Sequence, residues 1–229
     1  MKRWKSWLAE ERAKTQDMSL SKRLSYIWDY YKIYITVIVC VLTIGVYVGV
    51  KANTVLSDHW FYIGFTGTTQ ALDDDSDLYD GYVSYSGYDL TQKLVEFDNR
   101  LYFDYAQNKG RGNRYYEIFC AYVDSATLDA CTMSVESMES LGASGRLLDL
   151  NSETCASIRE KYGDRFIYCT PIDEEYSQDP VPIGIDISDS ILMTDYQIYE
   201  DSCALGIGAN SKNIEAVEKF LDYLYEEEK

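Results

Sequence analysis

The chain has one histidine, His59, among 229 residues. Hydrolysis by a Ser-His-Asp or Cys-His arrangement needs an imidazole that shuttles a proton beside its nucleophile. His59 stands at the start of an aromatic run just behind a long apolar stretch, so no such site is expected there. Histidine-based metal binding fails for the same reason. The run Asp73–Asp77 (DDDSD) suggests calcium, but Leu78 stands where a calcium loop needs glycine and Ser84 where it needs glutamate. A solvated loop is the expectation. Gly110-Arg111-Gly112 lacks the third glycine and the preceding strand of a dinucleotide loop. Acids number 38, so any pair of them is uninformative, including Asp124, Asp129 and Asp186 near expected strand ends. No catalytic residue, metal or cofactor is assigned, and an enzyme is not expected.

Five cysteines follow the apolar stretch: Cys120, Cys131, Cys155, Cys169 and Cys203. Their number is odd, no C-x-x-C occurs, and four lie in apolar surroundings, so they read as buried thiols rather than a disulfide framework. Tyr79, Tyr82, Tyr85 and Tyr88 cluster beside the acidic loop. Such a surface can stack on sugar rings or a partner, or it can be a strand edge packed over the core.

The element that positions everything else is Ile33–Val50, eighteen residues without a charge between Lys32 and Lys51. As a helix it would be ~27 Å long, against a hydrocarbon core of ~30 Å. Its hydroxyls, Thr36 and Thr43, can bond back to a carbonyl one turn earlier. Residues 1–32 carry eight basic and four acidic side chains; the rest carries 13 and 34, within a net charge of −17. Lys and Arg beside a span stay on the cytoplasmic side. The expectation is a single-pass protein of the cell membrane, with a cytoplasmic basic segment (1–32), a transmembrane helix (33–50), a tether (51–59) and an extracytoplasmic domain (60–229). A cleaved leader is the competing reading, with Val50-x-Ala52 as the cleavage site, but its basic region would be unusually long. Leu20, Leu24, Ile27, Trp28 and Tyr31 share one helical face, capped by Ser19 or Ser21, which predicts an amphipathic helix at the headgroup level. The partner implied is the lipid bilayer. The acidic balance argues against nucleic acid.

From Trp60 onward strands and helices alternate, which predicts an α/β domain with a mostly parallel sheet. Strands are expected at Trp60–Thr66, Gly81–Gly87, Leu128–Met133, Phe166–Thr170, Ile183–Ile187 and Cys203–Ile207. Helices are expected at Asp89–Asn108, Tyr115–Ser125, Ser134–Ala143, Ser152–Tyr162 and from Asn210 to the end. Open α/β sheets take ligands at strand C-terminal ends. That points to Thr68 and Thr69 after the first strand, Ser134 after the third, and Asn210 and Ser211 before the last helix. Free N–H groups at helix starts hold carboxylates or phosphates; the plainer alternative is that Ser134 and Ser211 are ordinary caps.

Two stretches resemble extracellular solute-binding proteins of the periplasmic-binding type. Leu128–Leu150 resembles a strand, a helix and then G-x-L-x-x-L, here Gly145, Leu147 and Leu150. Gly208–Glu228 resembles S-K-N-x-x-A-x-x-x-F-L, here Ser211, Lys212, Asn213, Ala216, Phe220 and Leu221. The YIWDYYK run before the span is similar to membrane-anchored proteins of Gram-positive bacteria that carry such a domain outside. The family closes two lobes around a ligand. Only 57 residues, Asn151–Ile207, lie between the motifs here, so the resemblance implies one lobe and an abbreviated remnant. It implies a binding or interaction module for a small-molecule ligand or another membrane protein, or a scaffold that has lost its ligand.

Overall fold

A helix of 36 residues, α1 (Leu20–Val55), begins directly after Ser19 and runs without a break through the apolar stretch. The computed structural model describes residues 19–55, 59–170 and 179–226, which fall into two units divided after Ser57. The basic residues before Ser19, Leu56–Asp58 of the tether, and the side chains of Leu20, Leu24 and Ile27 lie outside the described residues. Residues 20–32 and the apolar stretch form one continuous helix, about 54 Å long at 1.5 Å per residue. Thr36 Oγ1 donates to the Lys32 carbonyl and Thr43 Oγ1 to the Val39 carbonyl, both at 2.8 Å. Among the described residues no helix is long and apolar enough to cross a membrane; the apolar stretch includes residues 48–50, whose side chains are not described.

The second unit is an α/β domain built on a six-stranded mixed sheet. Its strands are β1 (His59–Phe65), β2 (Leu94–Asp98), β3 (Ala130–Met133), β4 (Phe166–Cys169), β5 (Val181–Asp186) and β6 (Ala204–Ile207), in the order β2-β1-β3-β6-β5-β4. β1 pairs in parallel with β2 and β3, but the other three pairings are antiparallel, so the expectation of a mostly parallel sheet is corrected. A parallel return needs a crossover that carries the chain back across the sheet, usually a helix. Between β5 and β6 there is only the four-residue helix Ile191–Thr194, so the chain enters β6 from the end at which it left β5.

Helices cover both faces. Phe61, Ile63 and Phe65 of β1 point into one core, against Leu78 and Tyr82 of α2 (Asp77–Ser86). Val217, Phe220, Leu221 and Leu224 of the last helix, Ile214–Leu224, complete it. Each such side chain contributes ~1.5–3 kcal/mol by leaving water. Tyr62 points the other way, into a second core with Phe119 and Val123 of α4 (Arg114–Asp124) and Met138 and Leu141 of α5 (Val135–Gly142). α5 sits close on the sheet because Gly184 and Gly206 leave room: a Cβ on either would come within 3 Å of Met138.

Two further expectations change. Gly81–Gly87 is not a strand but most of α2. Ser76 Oγ accepts from Tyr79 N at 3.3 Å, and Asp77 and Asp80 lie near the positive end of the helix. Asp89–Asn108 is not one helix: it holds β2, a loop, and the short α3 (Tyr105–Asn108). The six cysteines are free thiols, and Cys131, Cys155, Cys169 and Cys203 are buried.

Candidate functional site

The parallel strands β1 and β3 end side by side. Thr66 ties them: its N–H (3.0 Å) and its hydroxyl (2.8 Å) both donate to the Thr132 carbonyl. The chain then turns away at Gly67, whose φ of 70° lies in the left-handed region and where a Cβ would stand 3.1 Å from the Phe103 carbonyl oxygen. Thr68 follows, with its Oγ1 accepting from Gln70 N at 3.1 Å. Tyr199 braces the strand ends from the loop before β6. Its phenol donates to the Thr66 carbonyl at 2.9 Å, so the contact of 3.1 Å with Thr132 Oγ1 is one in which the threonine donates. Burial pushes the Tyr199 phenol well above its ordinary range, helped by the neighbouring Cys203 thiol, and keeps it a donor.

Above these ends lies an open cavity of about 920 Å³. Four segments line it: 66–70 after β1; Phe103 and Asp104 before α3; Met133, Ser134, Glu136 and Ser137 at the start of α5; and Met193 with 197–202 before β6. The start of α5 is closed by its neighbours. Ser134 Oγ accepts from Ser137 N (3.3 Å), and Val135 N donates to Ser202 Oγ (3.2 Å). Asp104 Oδ1 accepts from the Ser137 hydroxyl (2.7 Å) and from Ala106 N (3.0 Å). Ser134 is therefore a cap, as the plainer reading had it, and it also lines the cavity.

Of the sequence-derived candidates, Thr68, Thr69 and Ser134 come together here. Asn210 and Ser211 do not, and that expectation is corrected. β6 runs antiparallel to β3, so the residues after it emerge at the opposite end of the strands. There Asn210 Nδ2 donates to the Val123 carbonyl at 3.2 Å and Ser211 Oγ donates to Asp129 at 2.7 Å. Asp129 is fully buried, and also accepts from Tyr62 N (3.0 Å) and Asn213 Nδ2 (3.2 Å). Burial raises its pKa, although the hydrogen bonds from Ser211 and Asn213 oppose the rise.

Sequence reasoning missed Asp104, Ser137 and the whole 197–202 loop. Glu200 and Asp201 were visible only as two acids among many, and Asp104 fell inside an expected helix. The Asp73–Asp77 loop is turned to structural use: Asp74 Oδ1 accepts from Phe97 N of β2 at 3.0 Å, and Asp73 accepts from Asp75 N and, through its carbonyl, from the Ser76 hydroxyl. Among the described residues no three His, Cys, Asp or Glu side chains converge as a metal site. Comparison with protein-family models, with curated proteins and with solved structures finds no match for this chain.

Proposed function

We propose that the chain is a membrane-anchored binding module, held by α1 with its basic N-terminus in the cytoplasm, that displays the α/β domain outside the cell to bind a small solute. The observation that carries the solute reading is the open cavity at the C-terminal ends of β1 and β3, where an α/β sheet offers loops rather than strands to a ligand.

The anchor reading is supported by α1 itself. Ile33, Ile38, Val39, Val41, Leu42 and Tyr47 are each more than half exposed, and at 100° per residue they lie on all sides of the helix. A helix apolar all round has no water-facing side. Its threonine hydroxyls bond within the helix, as lipid requires of polar groups.

The solute-binding likeness is supported by the way its two motifs meet. Leu147 bridges Gly208, Leu148 N donates to the Ile207 carbonyl at 2.9 Å, and Ala209 N to the Arg146 carbonyl at 3.1 Å. The likeness extends to one lobe, so the module works as a single open sheet rather than a two-lobed clamp, and by binding without catalysis.

The test is thermal unfolding of the full chain in detergent micelles against sugars, amino acids and short peptides. A ligand at 100 times its Kd stabilises by about 2.7 kcal/mol, which raises Tm by several degrees for a domain of this size. A rise with one class is expected; no rise with any class overturns the proposal. The competing reading, a scaffold that acts only through protein contacts, is favoured by one feature: the Ser134 and Ser137 hydroxyls are already engaged within the fold.

A further inference from the structure

We infer that the end of the α/β domain opposite the cavity is a lipid-contacting surface, built on Trp60, Leu90 and Leu94, that rests in the headgroup layer of the membrane; the inference rests on the anchor reading above and adds how the domain meets the bilayer. Leu90 and Leu94 are 38 % and 43 % exposed, and among the described residues of the domain they are the only large aliphatic side chains left exposed. Its other exposed large apolar groups are tyrosines. The two leucines fall together. Leu94 begins β2 and pairs with His59, the first residue of β1. Leu90 lies in the loop from α2 to β2, directly after Asp89, whose carbonyl accepts from Trp60 Nε1 at 3.1 Å. Trp60 is the only tryptophan of the domain.

Aromatic rings and lysines complete the surface. Trp60 stacks on Tyr88, with ring centres 5.2 Å apart and planes inclined by 3°. Lys93 Nζ lies 5.1 Å from the Trp60 ring centre and Lys219 Nζ 4.6 Å from that of Tyr88. Tryptophan, tyrosine and lysine are the side chains that gather where a membrane meets water. Their rings sit at headgroup level, and a lysine stem lies along apolar surface with its ammonium in water. The two acids nearest in sequence are engaged within the fold. Asp89 accepts from Thr91 N, Thr91 Oγ1 and Gln92 Nε2, and Glu96 meets His59 at 3.3 Å. Such a surface suits zwitterionic headgroups; an anionic layer would repel the acidic domain around it.

The path of the chain names the occupant. The apolar stretch ends at Val50 and α1 five residues later, about 7.5 Å further on, roughly the depth of one headgroup layer. From Val55 to His59 the chain spans at most about 14 Å when fully extended. The N-terminal ends of β1 and β2 are therefore the part of the domain that the chain carries closest to a membrane holding α1. The cavity opens at the C-terminal ends of β1 and β3, so docking of this end leaves it open to solution.

The experiment uses the full chain with Trp4→Phe/Trp7→Phe/Trp28→Phe, which leaves Trp60 as the sole tryptophan, in phosphatidylcholine vesicles. A nitroxide on the lipid headgroup should quench Trp60 fluorescence by about half or more, as for a tryptophan at headgroup level. Adding Leu90→Asp/Leu94→Asp should remove most of the quenching and leave Tm in detergent within about 2 °C, since both side chains are exposed. Leu90→Asp alone, in the loop, should remove part of it. Tyr115→Asp/Tyr168→Asp makes the same change in net charge elsewhere and should leave the quenching as it was. If the leucine variants are quenched as fully as their parent, the short tether alone keeps Trp60 near lipid and the inference falls. It falls too if the tyrosine variant loses quenching equally, because overall charge then accounts for the contact. Shielding of Trp60 that appears only as the protein-to-lipid ratio rises means that a second copy covers the surface, which also overturns it. A chain with Trp28 as its sole tryptophan reports on the anchor. Trp28 quenched and Trp60 unquenched overturns docking and leaves the anchor standing; neither quenched overturns both.

Discussion

The Ser211 hydroxyl donates to Asp129 Oδ1 at 2.7 Å, at the end of the strands away from the cavity. This bond ties the start of the last helix to the N-terminal end of β3, and Asp129 in turn holds the β1 backbone through Tyr62 N. Removing the carboxylate leaves one backbone N–H and two side-chain donors without their acceptor. Asp129→Ala is expected to destabilise the domain by about 3 kcal/mol and Ser211→Ala by about 1 kcal/mol, read from urea midpoints. Neither change should alter the solute-induced rise in Tm of folded protein. A Ser211→Ala protein that keeps its stability and loses its ligand response would return Ser211 to the binding site.

Asp98 and Arg100 give a pH signature. Burial pushes the Asp98 carboxyl up, but hydrogen bonds from Arg100 and Tyr62 outweigh it and hold the group below the ordinary carboxylate range. Tyr62 OH donates at 2.7 Å and Arg100 Nε at 2.8 Å. Since the folded pKa lies below the unfolded one, the stabilisation is complete above about pH 4 and is lost as pH falls through the folded value. Arg100 is itself largely exposed, so Arg100→Met should cost only about 1–2 kcal/mol at neutral pH. The gap between wild type and variant should close as pH drops toward 3 in denaturant titrations. A gap that stays constant from pH 7 to pH 3 rules out the charge pair as its source.

Much of the domain is legible because its signals are local. The run from Trp60 to Thr66 reads as a strand, and the Ile214, Val217, Leu221 and Leu224 stripe reads as a docked helix; both are so. The segment 77–108 misleads because two periods coexist in it. Tyr82, Val83 and Tyr85 resemble strand alternation, yet Leu78 and Tyr82, four apart, bury one helical face. Leu90, Leu94, Phe97 and Leu101 resemble a helix, yet Val95 and Phe97 are the buried apolar residues of β2, an edge strand beside β1. The direction of β6 depends on pairing with β3, about 70 residues earlier in the chain, and no residue of β6 encodes it. That direction decides the site: it brings 197–202 to the cavity and sends Asn210 and Ser211 away from it.

Gly208 tests whether the meeting of the two motifs is sterically exact. A Cβ there would stand 2.5 Å from the Leu128 carbonyl oxygen, which is backbone just before β3. At Gly206 the nearest atoms are the sulfur of Met138 and a methyl of Leu147, both at the ends of flexible side chains. Gly208→Ala should therefore cost more than about 2 kcal/mol, and Gly206→Ala clearly less. Urea unfolding of the two variants gives the comparison; the reverse order would mean that the bridge between Leu147 and Gly208 gives way easily.

The proposed anchoring by α1 is tested in cells. A charge at the centre of a membrane helix costs about 2.5–3.5 kcal/mol per residue on insertion scales. Val41 and Leu42 lie mid-stretch on α1 and are more than half exposed. Val41→Arg/Leu42→Arg should move the chain from the carbonate-resistant membrane fraction to the soluble fraction, whereas wild type should stay with the membranes. In intact wild-type cells added protease should remove the α/β domain and spare the basic N-terminus. A double variant that remains carbonate-resistant, or a domain uncut until the cells are broken, would mean that α1 does not hold the domain outside.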